Sequence, residues 1–144
     1  MGRAATLGEY RAMYEQQTSR GSTVVVIDDD EAMRHSLEWL IRSAGHNIVG
    51  YESGSQYLDD AVRNGKPDYV LLDIHMLEID GLELYGVLKT QHLDLAVIFI
   101  TGYPDQLLAE KARVLDVKGF FTKPLDTDAL LSCIDKTAAS SRIE

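Results

Sequence analysis

The chain has 144 residues, 45% of them apolar, which suits one globular domain with a real core. Its 23 acidic and 14 basic residues give a formal net charge of -9, which speaks against direct binding to nucleic acid or to an anionic membrane. We therefore expect its natural small partner to be a cation.

Cys133 is the only cysteine, so the sequence supplies neither a disulfide framework nor a cluster of thiolate metal ligands. The amino terminus has no apolar core of signal-peptide length, and no segment is long enough to span a bilayer. These features predict a cytoplasmic protein.

Residues 1–22 are predicted to form an extension and linker ahead of the domain. Leu7, Tyr10, Met13 and Tyr14 mark one face of a short helix, and Thr18–Ser22 has linker composition. A docking helix, an interaction element and an added sequence all remain open as interpretations of this segment.

The first predicted strand, Thr23–Ile27, is a continuous β-branched run, which is typical of a strand buried on both faces of a parallel sheet. It ends at Asp28, Asp29 and Asp30. Asp30 can cap the helix that follows. The apolar residues of this helix recur at helical spacing before Gly45: Met33, Leu37, Leu40, Ile41 and Ala44. Asp28 and Asp29 repel each other unless a cation or a proton intervenes, although a solvated turn is an alternative.

The remaining sequence alternates predicted strands and helices. Further strands are predicted at Asn47–Tyr51, Tyr69–Asp73, Leu95–Ile100 and Lys118–Phe121. The next predicted helix is Ser53–Asn64. Three later helices are indicated by apolar residues at helical spacing: Leu82, Tyr85 and Leu88; Leu107, Leu108 and Ala112; and Leu130, Leu131 and Ile134. Asp126 can cap the last of these helices. This alternation predicts five parallel βα units with right-handed crossovers.

The strand Tyr69–Asp73 is the most informative for function, because its apolar run ends in a single carboxylate. Ligands of open α/β sheets bind at the carboxyl edge, near the point where strand order reverses. Asp73 is therefore a candidate for chemistry, and capping of the next helix is the alternative.

Asp28, Asp29, Asp73, Thr101 and Lys123 all follow predicted strands, so they should converge at one edge of the sheet. One Mg²⁺ and the Lys123 ammonium would balance the three carboxylates, and Mg²⁺ is commonly shared between carboxylates and a phosphoryl group. We therefore hypothesise phosphoryl transfer onto Asp73. Lys123 would offset charge on the phosphoryl oxygens, and Thr101 would donate a hydrogen bond.

Five motifs in this order resemble the receiver domain of two-component response regulators. They are Val24–Asp30, Leu71–Asp73, Asp80–Gly81, Ile100–Gly102 and Phe121–Pro124. The resemblance covers about residues 23–138 and leaves a polar tail at 139–144. It implies an α/β, flavodoxin-like, doubly wound five-stranded parallel sheet of order 2-1-3-4-5, with the strands before Asp28 and Asp73 side by side.

The resemblance also implies a phosphoacceptor chemistry. Asp73 would receive its phosphoryl group from a histidine kinase or a histidine phosphotransfer protein. Asp29 and Asp73 would bind Mg²⁺ directly, Asp28 would act mainly through water, and the backbone carbonyl of His75 would complete the protein ligands.

For signalling, the resemblance implies that Thr101 and Lys123 bind the phosphoryl group while Phe120 turns inward on activation. The face near Phe120, with the last helices and strand, would then control an output domain or a downstream protein, with a homodimer as a further option. Whether the chain is a stand-alone receiver or part of a longer regulator stays open.

The sequence departs from the family pattern at two positions. Leu77 stands where the family usually has proline after Met76, and Phe120 has no hydroxyl, so a switch there must work through packing. Core packing is the alternative role for Phe120. We expect the His75 imidazole to face solvent and Cys133 to be a small core residue of the last helix.

Two rival functions use similar residues. A Mg²⁺-dependent phosphatase with an aspartyl-phosphate intermediate needs a second Asp two residues after the nucleophile, where this chain has His75. A flavin-binding flavodoxin relative needs a phosphate loop after the first strand, and Asp28–Asp30 would repel that phosphate.

His75 and Tyr103 each lie two residues after a site residue and are predicted to flank the site. We hypothesise that they obstruct the hydrolytic water and slow self-dephosphorylation, with solvent-facing side chains as the alternative.

Overall fold

The computed structural model describes residues 6–8, 21–76, 80–91, 95–102 and 106–143. Its strands are β1 (Thr23–Ile27), β2 (Asn47–Tyr51), β3 (Tyr69–Asp73), β4 (Ala96–Thr101) and β5 (Gly119–Thr122). Within the described residues these five form one parallel sheet in the order β2-β1-β3-β4-β5. The predicted flavodoxin-like strand order is therefore confirmed.

The helices that follow the strands are α1 (Glu31–Ser43), α2 (Gly54–Asn64), α3 (Gly81–Gln91), α4 (Gln106–Arg113) and α5 (Thr127–Ile143). Asp30 caps α1 as predicted, since its side chain accepts hydrogen bonds from the backbone N–H groups of Ala32 and Met33. Gly45 and Gly65 follow α1 and α2 at positive φ, where a side chain would be strained.

The sheet separates two apolar layers because successive side chains of a strand point to opposite faces. Leu37 and Ile41 of α1 pack with Leu130 and Ile134 of α5 on one face. The other layer includes residues of α2, α3 and α4: Tyr57, Leu84, Tyr85, Leu88 and Ala112. All five residues of β3 are buried, as expected for a central strand.

Some boundaries differ from the predictions. β4 and β5 are each displaced by one residue toward the carboxyl terminus, and α5 continues through residues that the sequence assigned to a polar tail after residue 138. Ala44, which the sequence counted among the apolar residues at helical spacing, is exposed because it is the C-cap of α1.

Several predictions concern residues that the structure describes only in part. Thr6–Gly8 is described and Leu7 is exposed, whereas Tyr10, Met13 and Tyr14 lie outside the described residues. Leu77 and Tyr103 also lie outside them. No helix in the described part of the chain combines the length and apolarity needed to cross a bilayer.

Candidate functional site

The carboxyl ends of the central strands bring the predicted site residues together. β1 and β3 are paired through Ile27 and Leu72, so Asp28 and Asp73 emerge at neighbouring positions. Thr101 ends β4, and the backbone N–H of Lys123 donates to the Thr101 carbonyl at 2.8 Å. Sheet pairing therefore produces the convergence that the sequence predicted.

The three carboxylates form a compact group. Asp28, Asp29 and Asp73 each offer an oxygen, and these oxygens lie within 4.8 Å of one another. Asp28 and Asp73 are buried, whereas Asp29 is exposed. Lys123 Nζ lies 3.0 Å from Asp28 Oδ2 and 3.6 Å from Asp73 Oδ2. The site thus combines two buried carboxylates, Asp28 and Asp73, with a nearby Lys123 ammonium and the exposed carboxylate of Asp29.

Asp28 has an oxygen suited to a metal ion. Its Oδ1 accepts from the Asp30 N–H at 2.9 Å, but its Oδ2 is buried without a hydrogen-bond partner among the described residues. The Lys123 ammonium, 3.0 Å from Oδ2, supplies a counter-charge to it. A buried carboxylate oxygen in this state is stabilised by a cation, and an all-oxygen donor set is what Mg²⁺ prefers. The residues present therefore fit Mg²⁺.

The Asp73 carboxyl is destabilised in its charged form. Burial, followed by the charge of Asp28, raises the pKa of Asp73 from 3.8 to about 7, although Lys123 and the His75 N–H oppose this rise. Burial disfavours the Lys123 ammonium, but its ion pairs with Asp28 and Asp73 hold the pKa of Lys123 above its usual value. A divalent cation at this site would favour the ionised Asp73.

The remaining predicted residues take different positions. His75 is exposed, and its backbone N–H donates to Asp73 Oδ1 at 3.1 Å. Thr101 is fully buried. Phe120 lies in β5 beside Phe99 of β4 and packs, half-buried, against the core layer below α2, α3 and α4. Cys133 is half-buried in α5, and its Sγ lies 3.3 Å from the Lys118 carbonyl.

Sequence reasoning missed Arg34, which contacts this site through the backbone. The Arg34 guanidinium donates through Nη1 to the Asp28 carbonyl at 2.9 Å. A basic residue in the first turns of a helix that follows an acidic loop was the available indication. It was ambiguous, because such a residue is ordinarily solvated.

Comparison with known proteins identifies relatives over most of the chain. The model of the response regulator receiver domain matches residues 24–135. The response regulator protein TodT of Pseudomonas putida is 34% identical over 117 residues, which are 81% of this chain and 51% of TodT. The transcriptional regulatory protein FixJ of Bradyrhizobium diazoefficiens is 35% identical over 118 residues, 82% of this chain and 57% of FixJ.

Solved structures show the same fold. A response regulator receiver domain protein from Clostridium thermocellum superposes with a TM-score of 0.77 at 22% identity, over 85% of this chain and 98% of that one. The chain spans only about half the length of TodT and FixJ. Both relatives are regulatory proteins by name, so the similarity concerns a signalling domain.

Proposed function

The chain belongs to the response regulator receiver family, and from this we propose that it accepts a phosphoryl group on Asp73 from phosphohistidine of a histidine kinase or phosphotransfer protein. The observation that carries the proposal is the position of Asp73. It is a buried carboxylate at the carboxyl end of the central strand, with Asp28, Asp29 and Lys123 around it.

The transfer would be a displacement at phosphorus. An Asp73 carboxylate oxygen forms the new P–O bond, and the P–N bond to the donor imidazole breaks with its electron pair remaining on nitrogen. Lys123 offsets charge on the phosphoryl oxygens, because its ammonium already faces Asp73 Oδ2. Thr101 contributes a hydroxyl hydrogen bond from the end of β4.

The proposed metal site has Asp29, Asp73 and the His75 backbone carbonyl as direct ligands, with Asp28 acting mainly through water. Bound Mg²⁺ would supply positive charge that lets a phosphoryl dianion approach a group of carboxylates. The support for this assignment is the grouping of the carboxylate oxygens and the buried Asp28 Oδ2.

The output is proposed to be a shift between two conformations at the face near Phe120. Because Phe120 is half-buried, it can move between packed positions without a hydrogen bond.

The receiver is proposed to comprise residues 23–138, with 1–22 as an extension. An output domain or downstream partner would contact β5 and the last helices, and a homodimer is a further possibility for this surface.

A phosphatase with an aspartyl-phosphate intermediate is the less favoured alternative. Such an enzyme needs a general acid two residues after the nucleophile, and here that residue is the exposed His75. No specific feature of the described site favours rapid turnover of phosphomonoesters.

Intact-mass spectrometry with a small phosphodonor such as acetyl phosphate tests the proposal. We expect one added phosphoryl group in the presence of Mg²⁺, none in Asp73→Asn, and none when a chelator removes the metal. Asp59→Asn is the matched control, because Asp59 is an exposed carboxylate of α2. Equal labelling of Asp73→Asn, or labelling that ignores the chelator, would contradict the assignment.

A further inference from the structure

Arg34 holds the peptide that joins the two consecutive acids of the site. It is half-buried in α1, and its Nη1 donates to the Asp28 carbonyl at 2.9 Å. The Asp28 N–H donates to the Tyr51 carbonyl at 3.1 Å, and Asp28 Oδ1 accepts from the Asp30 N–H at 2.9 Å. Asp28 is therefore held at its N–H, its carbonyl and one carboxylate oxygen.

The Asp28 carbonyl and the Asp29 nitrogen belong to the same planar peptide group. Asp29 follows directly on this peptide, so the orientation of the peptide affects the direction in which its Cα–Cβ bond projects. A bond from Arg34 to the carbonyl therefore limits rotation of the group from which Asp29 projects. Charge-assisted hydrogen bonds of this kind are stronger than neutral ones.

Gly50 of β2 provides the space through which the Arg34 side chain reaches the carbonyl. A Cβ atom at Gly50 would lie 2.9 Å from Arg34 Cγ and 3.0 Å from Cδ, and it would also overlap the Glu38 carboxylate. The Glu38 carboxylate ends a flexible side chain and can move away. The Arg34 methylenes lie within the side chain, so a Cβ at Gly50 changes the torsions that carry the guanidinium to the Asp28 carbonyl. Glycine at this position and the bond to Asp28 are therefore linked.

We propose that Arg34 is a positioning residue for the Mg²⁺ and phosphoryl site, and that Gly50 is required for it to act. Arg34 orients Asp28 and Asp29 by fixing the peptide between them, without itself binding metal or phosphate. This inference rests on the proposed function, because it assigns a role to Arg34 in the binding of Mg²⁺ by these two acids.

Positioning and electrostatics predict opposite changes in the Mg²⁺ affinity of Arg34→Ala. The guanidinium charge repels a cation nearby, so Arg34→Ala would strengthen Mg²⁺ binding if charge were its only effect. Positioning predicts weaker binding, since removal of groups that orient metal ligands typically costs roughly 10- to 100-fold in affinity. Gly50→Ala separates the two effects because it displaces the Arg34 side chain and keeps its charge.

Mg²⁺ titrations of the full chain, followed by amide chemical shifts in NMR, test the proposal. We expect Gly50→Ala to weaken Mg²⁺ binding about 10-fold, the lower end of that range, and Arg34→Ala to weaken it somewhat less because the repulsive charge is also lost. Arg34→Lys should recover part of the affinity. Gly50→Ala combined with Arg34→Ala should bind no more weakly than the weaker single variant, since both changes remove the same contact.

Arg42→Ala is the matched control. Arg42 lies on the same helix and donates to a backbone carbonyl, that of Ile48, at 3.2 Å, but this carbonyl is in β2 away from the site. Loss of this bond should destabilise the fold as Arg34→Ala does and leave Mg²⁺ affinity unchanged.

Wild-type affinity in both folded Arg34→Ala and folded Gly50→Ala would overturn the proposal, as would tighter binding in Arg34→Ala with no change in Gly50→Ala. If Gly50→Ala does not fold, Arg34→Ala and Arg34→Lys decide the question. Absence of Mg²⁺ binding in the wild type would instead overturn the proposed function.

Discussion

Asp73, the proposed nucleophile, has a charge that depends on pH near neutrality when no metal is bound. Its pKa is raised from 3.8 to about 7, first by burial and then by the charge of Asp28. The unfolded chain releases this proton near its ordinary pKa, so between these values the folded state binds more protons than the unfolded state. The free energy of unfolding contributed by this group therefore falls as pH rises from about 4 to about 7 and stays low above that.

We predict that Asp73→Asn stabilises the metal-free protein at pH 8 more than at pH 5. The asparagine removes a buried charge that is ionised at pH 8 and largely protonated at pH 5, and the difference should be roughly 1–3 kcal/mol. Urea denaturation with a chelator at both pH values measures it. Equal effects of Asp73→Asn at both pH values would refute the electrostatic account.

A second prediction at this scale separates Lys123 from the metal ligands. Lys123→Ala removes the ammonium 3.0 Å from Asp28 Oδ2, so Mg²⁺ binding should be retained or strengthened because a competing positive charge is lost. Labelling of Asp73 should slow by on the order of 100-fold or more, as expected when one group that offsets phosphoryl charge is removed. Magnesium titration and a time course by intact mass give the two readouts, with the exposed Lys118→Ala as control. Loss of Mg²⁺ affinity would contradict the assigned role.

Single residues that follow buried strands could be predicted, because strand periodicity places their side chains at the sheet edge. Asp28, Asp73 and Thr101 are of this kind. Arg34 could not, since its role depends on a side chain that packs against Gly50 of β2, and nothing in a linear sequence relates residues 34 and 50. The raised pKa of Asp73 likewise depends on burial that only the assembled sheet provides.

At the scale of elements, helix α3 begins in close contact with the end of β3. The Gly81 N–H donates to the Ile74 carbonyl at 2.8 Å, and a Cβ at Gly81 would lie 2.6 Å from both the Asp73 carbonyl oxygen and Ile74 Cα. These neighbours are backbone atoms, which cannot rotate away. The start of α3 and the segment after Asp73 are therefore fixed relative to each other only while residue 81 is glycine.

We predict that Gly81→Ala lowers the free energy of unfolding by about 1–3 kcal/mol and slows labelling of Asp73, since overpacking must displace backbone beside Asp73. Gly86→Ala on the same helix should instead raise the free energy of unfolding by roughly 0.5–1 kcal/mol, because a Cβ there meets no atom within 4 Å and alanine is the better helix former. Urea denaturation and mass labelling test both. If the two variants behave alike, close packing at Gly81 is not what constrains this loop.

Elements were predictable where periodicity and caps agreed. Asp30, Gly45 and Gly65 define the ends of α1 and α2 in both sequence and structure. The extent of α5 was not predictable, because the segment Ala138–Ser141 consists of small and polar residues with no glycine or proline to end a helix.

At the scale of the whole molecule, the two ends of the strands differ. The carboxyl ends carry the proposed site and are called the functional edge, and the amino ends carry the contacts of His46 and are called the anchoring edge. The site lies where the strands end, whereas His46 lies just before β2, close to where β1 begins. The His46 Nδ1 accepts from the buried Ser22 N–H at 2.9 Å, and its Nε2 lies 2.9 Å from Asp135 Oδ1 of α5. One imidazole thus connects the segment before β1, the turn before β2 and the last helix.

The last prediction uses this separation of edges. His46→Ala leaves the buried Ser22 N–H without its acceptor, so we expect a loss of about 1–3 kcal/mol in the free energy of unfolding. Asp135→Ala should cost less than about 1 kcal/mol, because the Asp135 side chain is 64% exposed and an exposed partner contributes little. Urea denaturation compares the two, and mass spectrometry at a temperature where both remain folded measures labelling. Labelling should be unchanged in both, since strand pairing and not the imidazole positions Asp28 and Asp73. A slower labelling of folded His46→Ala would show that the anchoring edge is coupled to the site through the sheet or α5.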